Sequence, residues 1–242
     1  MRKIEEFKSA GSEEKNTYVR RMFNNISGHY DFLNHFLSAG IDRYWRKRTI
    51  EISKLGAGEL FLDVACGTGD LSIEASKTNP AKIVAVDFAE NMLMGFDVKK
   101  NKLNLDGKVE MVQANAERLP FPDNTFDAAA AAFGARNFGN LKSGLNEMHR
   151  TLKKNGRIAV LEFSKPRHFP VKQIYFFYFE RILPALGRLI SKDPRAYYYL
   201  PDSVSSFPDG VTFENIMLAV KFHDVRSVPL TFGIATVYFG IK

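Results

Sequence analysis

The residues best suited to chemistry lie in a Gly-rich turn with the sequence DVACGTGD. Its glycines, Gly67 and Gly69, allow a tight turn and let a ligand approach the backbone closely. A dinucleotide site would have a third glycine where Ser72 stands, and the carboxylates of Asp63 and Asp70 would repel a pyrophosphate. A ligand with a sulfonium and an ammonium group suits the turn, which therefore favours S-adenosylmethionine over NAD. A plain strand-to-helix turn is the alternative.

Two further polar positions follow the Gly-rich turn at the spacing of an adenosine site. Asp87 comes about 20 residues later, where a carboxylate can accept hydrogen bonds from a ribose diol. It could equally be a helix N-cap. Asn115 and Ala116 stand where a polar side chain and a backbone amide could bind the edge of adenine. The three segments predict one cofactor site at the carboxyl ends of parallel strands.

A repeating strand and helix pattern would position these residues. The helical stretches fall near residues 71–77 and 91–100, between short apolar runs. Such alternation predicts a doubly wound α/β sheet with a mostly parallel order of strands. The apolar runs lie at residues 59–65, 82–87, 109–113, 126–133 and 157–162.

The two ends of the chain depart from that alternation. Residues 4–52 have apolar spacings typical of helices, with a Gly-containing break at 38–40. Near the other end, residues 222–228 and 231–241 are two successive strands with a break at Pro229. Strands without an intervening helix predict an antiparallel hairpin at the sheet edge.

Composition limits the class of protein. The chain has 242 residues, of which 45% are hydrophobic and 13% aromatic, enough for a packed core. Because Cys66 is the only cysteine, we expect no internal disulfide and no metal site built on cysteines. The N-terminal residues are charged and no apolar run approaches about 20 residues, so we expect neither export nor a membrane span.

The net charge of +7 implies attraction to an anionic partner, and a solubilising surface is the alternative for charge that is scattered. The basic residues form small scattered groups, so we expect no nucleic-acid partner. An unusually aromatic stretch at residues 169–184 and 195–201 needs a covering partner. The candidates are the protein's own core, a second subunit in a homodimer, or a lipid-like ligand.

Several longer segments resemble the ubiquinone/menaquinone biosynthesis C-methyltransferases, over nearly the whole chain from residue 19 to 241. The Gly-rich turn is common to class I methyltransferases, whereas the other segments are more specific. The similar segments are residues 20–34 (RRMFNNISGHYDFLN), 62–70 (LDVACGTGD), 115–127 (NAERLPFPDNTFD), 133–138 (FGARNF), 161–166 (LEFSKP) and 199–204 (YLPDSV).

The resemblance implies the class I methyltransferase fold, a Rossmann-like seven-stranded sheet, with S-adenosylmethionine as methyl donor and a demethylated quinol as acceptor. It predicts residues 1–55 as a helical lid segment, and residues 56–242 as the methyltransferase domain with a substrate insertion at about 164–210. It also assigns cofactor positions. Together with the reasoning above, the expected cofactor residues are Asp63, Gly67, Thr68, Gly69, Asp87, Asn115 and Ala116.

Three positions depart from the family pattern. Ala132 replaces a common serine, which puts one cofactor hydrogen bond in doubt. Asp42 replaces a usual histidine, and Lys221 replaces a usual glycine. We expect the last two changes to lie at the rim, away from the cofactor loop.

The resemblance also suggests a mechanism. Methylation of a ring carbon needs an electron-rich, partly deprotonated quinol and an in-line approach to the sulfonium methyl. Arg136 and Asn137 follow the fourth strand and could stabilise the phenolate, although Arg136 could instead be an ion-pair residue. Tyr30 or His29 could orient or deprotonate the acceptor hydroxyl.

The expected acceptor is a prenylated quinol, most simply demethylmenaquinol. Residues 174–179 are candidates for holding its tail, while Lys165, Arg167 and Lys172 would face anionic headgroups. The protein would then be cytoplasmic and peripherally associated with the inner face of the membrane. The alternatives are another lipid or phenolic acceptor, a nicotinamide oxidoreductase, and a cofactor-binding scaffold without catalysis.

Overall fold

The computed structural model describes residues 12–38, 40–178, 181 and 195–242, without the side chains of residues 12, 29–37 and 195–198. Its centre is a seven-stranded sheet with the order β3-β2-β1-β4-β5-β7-β6. Strands β1 to β5 are parallel, and β7 runs antiparallel to both β5 and β6. The strands are β1 (Leu60–Val64), β2 (Lys82–Asp87), β3 (Val109–Gln113), β4 (Phe126–Ala132), β5 (Leu152–Phe163), β6 (His223–Leu230) and β7 (Ala235–Ile241). This sheet confirms the predicted fold class.

Helices cover both faces of the sheet. Two of them precede β1, and they are separated at the predicted break by Gly40, whose φ of 77° suits glycine. The helices are α1 (Ser12–Leu37), α2 (Ile41–Ser53), α3 (Asp70–Ser76), α4 (Glu90–Lys102), α5 (Leu141–Thr151), α6 (Val171–Phe177), α7 (Arg195–Ser206) and α8 (Val211–Ala219). Within the described ranges, none of them is long and apolar enough to cross a membrane.

The sheet has an apolar core on each face because successive side chains of a strand point to opposite sides. On β1, Leu62 and Val64 join one core with the neighbouring β2 residues, while Phe61 joins the other core. Both sets are almost completely buried. The first turns after the strands are thereby held on a rigid support.

The chain crosses from one side of β1 to the other between β3 and β4. Strand β1 pairs with β2 on one edge and with β4 on the other. Where the order of strands in a parallel sheet reverses in this way, a crevice is left beyond the carboxyl ends of the strands. The predicted cofactor residues follow these strand ends.

Two details of the C-terminal strands differ from the sequence prediction. Pro229 does not break the hairpin, because it lies within β6 and pairs with Thr236 of β7. Strand β6 is an edge strand, where the missing N–H of proline is tolerated. The break comes instead at a 3-10 turn, Thr231–Gly233. The predicted strand boundary at Pro229 was therefore wrong.

Residues 153–156 form an irregular segment inside β5. The pairing of β4 with β5 shifts there, since Phe126 pairs with Leu152 but Ala128 already pairs with Arg157. Asn155 within this segment has a φ of 64°. The apolar run at residues 157–162 therefore predicted only the part of β5 that follows this irregularity.

Candidate active site

An open cavity lies at the carboxyl ends of β1, β2 and β4, with about 790 Å³ of empty space when the solvent at its mouth is included. Two of the predicted site residues, Gly69 and Arg136, do not line this cavity. Those that line it are Asp63, Gly67, Thr68, Asp87, Asn115, Ala116 and Asn137.

Asp87 ends β2 and holds the Gly-rich turn in place. One oxygen of its carboxylate accepts a hydrogen bond from the backbone N–H of Gly67 at 2.8 Å, and the other accepts one from Ala89 at 2.8 Å. Burial raises the pKa of Asp87 to about 6, although these hydrogen bonds oppose the shift. Each carboxylate oxygen has a second lone pair, so the fixed carboxylate can still accept from a diol.

Asp63 lies near the end of β1, where the burial of its carboxyl group is costly for a charged side chain. It is completely buried, and one of its oxygens accepts from the Ser72 hydroxyl at 2.6 Å. The other oxygen has no hydrogen-bond partner among the described residues. Burial first, and then the charge of Asp87, raise the pKa of Asp63 to about 7. A buried carboxylate oxygen of this kind needs a donor, which a cationic ligand would supply.

Ser72 explains the departure from the dinucleotide pattern. The residue is fully buried, and its hydroxyl donates to Asp63 from the first turn of α3. A glycine at that position could not make this bond. The turn is therefore built around a carboxylate, which favours a cationic ligand over a pyrophosphate.

Gly67 and Gly69 shape the turn. Both have positive φ, 56° and 83° respectively. A Cβ atom on Gly69 would lie 2.1 Å from the ring of Phe96, which leaves no room for a side chain. Gly69 thus acts through packing, whereas Gly67 and Thr68 face the cavity.

The loop after β3 contributes Asn115 and Ala116 to the cavity wall. The side-chain oxygen of Asn115 accepts from the backbone N–H of Glu117 at 2.9 Å, which fixes the loop. Glu117 in turn accepts from Asn16 on α1 and from the backbone N–H of Gly139. Helix α1 is therefore tied to the loop that the sequence assigns to adenine.

Arg136 lies beside the cavity in a buried ion pair. Its guanidinium contacts Glu162 at 2.8 Å and donates to the Phe133 carbonyl at 2.6 Å. It also lies over the ring of Phe163, 5.5 Å from the centroid. Glu162 also accepts from the backbone N–H of Arg136 at 3.1 Å. The pair fixes the short 3-10 turn Ala135–Asn137.

Asn137, at the end of that turn, does line the cavity. Its side-chain oxygen accepts from the Tyr199 hydroxyl at 3.0 Å, which brings helix α7 to the site. Burial raises the pKa of Tyr199 to about 12, so the hydroxyl stays protonated near neutral pH. Nothing in the sequence analysis gave Tyr199 or Glu162 a role, since their contacts span 62 and 26 residues.

The remaining expectations have mixed outcomes. The side chains of Tyr30 and His29 lie outside the described residues. Ala132 lines the cavity, so the missing serine hydroxyl is a real difference at the site. Among the described residues, no group of three or more His, Cys, Asp or Glu is arranged to hold a metal ion.

One expectation was wrong. Asp42 was predicted to lie at the rim, but its side chain is buried and forms an ion pair with Arg46, one turn later on α2. Arg46 lines the cavity and lies 3.6 Å from Asp70 of the Gly-rich turn. The signal that could have found the pair of Asp42 and Arg46 is the i, i+4 spacing of an acid and a base.

The site fits S-adenosylmethionine. The unpartnered oxygen of Asp63 offers an acceptor for a cationic group of the ligand. The carboxylate of Asp87 offers an acceptor for the ribose diol. Gly67 lines the cavity without a side chain and leaves its backbone open to the ligand. A pyrophosphate would meet buried carboxylates instead.

Comparisons with known proteins agree with this geometry. Residues 11–242 match the model of the ubiE/COQ5 methyltransferase family. The chain is 42% identical to a demethylmenaquinone methyltransferase of Porphyromonas gingivalis, over 94% of each chain. It is 46% identical to a ubiquinone/menaquinone biosynthesis C-methyltransferase of Geobacter sulfurreducens, over 95% of this chain and 90% of the relative.

Solved structures support the fold. A SAM-dependent methyltransferase from Aquifex aeolicus matches with a TM-score of 0.59 and 20% identity, over 81% of this chain and 88% of the other. The YcgJ protein from Bacillus subtilis matches with a TM-score of 0.53 and 18% identity, over 82% of this chain and 98% of the other.

Proposed function

Because the chain belongs to the ubiE/COQ5 methyltransferase family, we propose that it transfers a methyl group from S-adenosylmethionine to a ring carbon of a demethylated prenyl quinol. The acceptor we propose is demethylmenaquinol, the reduced form of the demethylmenaquinone in the names of the relatives from Porphyromonas gingivalis and Bacteroides fragilis. The single observation that carries the proposal is the buried, unpartnered oxygen of Asp63 in a cavity built on family motifs. The nicotinamide and scaffold alternatives are not favoured.

The cofactor supplies an electrophilic methyl group on its sulfonium when bound. We propose that the protein holds the adenosyl part between the Gly67 turn and the Asn115 loop, with Asp87 on the ribose diol. Asp63 would accept from the ammonium group. Because these acceptors are fixed before binding, little reorganisation is needed when the ligand enters.

We propose that Asn137 contacts the acceptor. It faces the cavity and is oriented by Tyr199, so its amide can donate to an oxygen of the quinol ring. A donor at that oxygen stabilises the ionised quinol, whose ring carbon is a better nucleophile. Arg136 would support this role by fixing the turn that carries Asn137, through its pair with Glu162. Tyr30 remains a candidate for orienting the hydroxyl.

The region around α6 is our proposed tail and membrane contact. Ile174 and Phe177 on α6, and Phe169 just before it, are exposed by 64%, 61% and 81%. Lys172 is also exposed on the same helix. Apolar rings next to a cation suit an anionic bilayer surface. Phe179, another predicted tail residue, lies outside the described part of the chain.

A panel of acceptors tests the proposed function. Methyl transfer from labelled S-adenosylmethionine is measured with reduced demethylmenaquinol, with a prenyl benzoquinol that lacks the same methyl, and with a tail-free phenol. We expect kcat/KM to be highest for demethylmenaquinol. Cofactor binding with no transfer to any quinol would contradict the proposal. The Asp87→Asn variant serves as the control for transfer that does not depend on the cofactor site.

A further inference from the structure

Arg46 on α2 is a buried cation in a cavity that is otherwise acidic. Its side chain is only 9% exposed, and it lies beside Asp70 and lines the same cavity as Asp63 and Asp87. Among the described residues that line the cavity, it is the only lysine or arginine. A ligand with only cationic groups would have no anionic group for Arg46 to bind.

The contacts of Arg46 leave most of its donors available. Within the described part of the chain it makes one hydrogen bond, to Asp42. Asp70 forms an ion pair with its guanidinium at 3.6 Å, which is too long for a hydrogen bond, and Lys99 donates to the other oxygen of Asp70 at 2.6 Å. A guanidinium has five N–H groups, so several of them are open to a ligand in the cavity.

The position of Arg46 is set by its neighbours. Asp42 binds it from one side and is itself held by the Ser38 hydroxyl at 2.7 Å. The guanidinium carbon also lies 5.7 Å from the centroid of the Phe133 ring. Such a fixed planar group is suited to bind a carboxylate in a bidentate manner.

From this geometry we propose that Arg46 binds the α-carboxylate of the cofactor's amino-acid end, while Asp63 accepts from the α-ammonium group beside it. The cavity thus recognises a zwitterion with one cation and one anion of its own. Asp42, Ser38 and Phe133 are positioning residues for Arg46. The inference rests on the proposed function, because it assumes that S-adenosylmethionine is the ligand.

The test compares two ligands that differ only in the carboxylate. Isothermal titration measures the Kd of S-adenosylmethionine and of decarboxylated S-adenosylmethionine, which keeps the ammonium group. For the wild type we expect binding about 10- to 100-fold tighter with the carboxylate present. In Arg46→Ala this preference should fall to within about 3-fold, because only the carboxylated ligand loses a contact. Arg46→Lys should restore part of it.

Two further variants make the result decisive. Arg46→Gln keeps a donor for Asp42 and should lose the preference as Arg46→Ala does, even if the alanine variant is unstable. Arg48→Ala is the matched control, because Arg48 lies on the same helix and pairs with Glu51 outside the cavity. It should keep the wild-type preference.

The outcomes separate the inference from the proposed function. Equal weakening of both ligands by Arg46→Ala and Arg46→Gln would show a structural role and overturn the inference. Unchanged binding of S-adenosylmethionine would overturn it as well. If the wild type binds neither ligand, the proposed function itself fails.

Discussion

The cofactor region and the acceptor region of the cavity are built in different ways. The cofactor region consists of short loops after β1, β2 and β3, and the hydrogen bonds that hold Asp63, Asp87 and Asn115 span 20 residues or fewer. The region that we propose for the acceptor is built around the 3-10 turn at Ala135–Asn137, and Tyr199 of α7 reaches Asn137 across 62 residues. Recognition of the cofactor is therefore local in sequence, and recognition of the acceptor is distributed.

This difference implies that single changes should separate the two functions. A change in the cofactor region should weaken cofactor binding with little effect on the acceptor. A change in the acceptor region should lower transfer while the cofactor Kd stays the same. Four variants test this, from the largest expected effect to the smallest.

Asp87→Asn should weaken binding of S-adenosylmethionine about 100-fold. The amide cannot accept from the ribose diol and from the backbone N–H groups of Gly67 and Ala89 as a carboxylate does. Titration calorimetry measures the change. The KM for the quinol, at saturating cofactor, should stay within about 3-fold, and a larger increase in that KM would break the separation of the two regions.

Asp63→Asn should have opposite effects on binding and on stability. The pKa of Asp63 is about 7 in the folded protein, compared with 3.8 for an ordinary Asp. The buried, ionised carboxylate therefore lowers the free energy of unfolding. This destabilisation is complete above about pH 7 and is absent below about pH 4. The ligand-free variant should therefore melt about 5–10 °C higher at pH 8. It should also bind the cofactor about 30-fold more weakly, as an ammonium contact is lost.

The melting curve at pH 4 is the internal control for Asp63→Asn. At pH 4 the carboxyl group is protonated in the folded wild type and about half protonated in the unfolded chain, so little of the pH-dependent destabilisation remains and the two proteins should melt closer together. A stabilisation of equal size at both pH values would mean that the charge of Asp63 is not its cause. Asp87 and Arg46 are the charged groups that act on Asp63, and both are kept in the variant.

Tyr199→Phe should lower kcat for methyl transfer about 10-fold. The change removes the hydroxyl that holds Asn137, and it leaves the aromatic ring in place. The cofactor Kd should not change. Methyl-transfer assays at saturating cofactor measure the change in kcat. A parallel loss of cofactor affinity would show that Tyr199 belongs to the cofactor region instead.

Phe177→Ser should have the smallest effect, a loss of about 3-fold in binding to anionic vesicles. Phe177 is 61% exposed, so the folded core should be unaffected. Val98→Ser on α4 is the control, because Val98 is also exposed, by 70%, but lies on another helix. Vesicle co-sedimentation measures both, and equal losses would contradict a specific membrane face at α6.

The sequence predicted residues that the structure brings together in one cavity, because their signals are local. Asp63, Asp87 and the glycines fall at fixed spacings after strands, and each strand is marked by its own apolar run. The strand ranges 82–87 and 109–113 agree with β2 and β3 as the structure has them. Even Ser72, first noted as a missing glycine, has a local reason in its bond to Asp63.

The acceptor region could be predicted only in part, because its contacts join distant segments. The burial of Arg136 against Glu162 depends on strand β5 lying next to β4, which periodicity does not reveal at the level of side chains. Arg46 was missed for a similar reason. Its helix gives no sign in sequence of packing over the Gly-rich turn, and only the tertiary fold brings it to Asp70.

The most direct test of the account is the site of methylation on the acceptor. In a single turnover with S-adenosylmethionine that carries a deuterated methyl group, the product of demethylmenaquinol is examined by mass spectrometry and NMR. The account predicts a deuterated methyl on the ring carbon and loss of the ring hydrogen. A product with the label on oxygen and the ring hydrogen retained would contradict it.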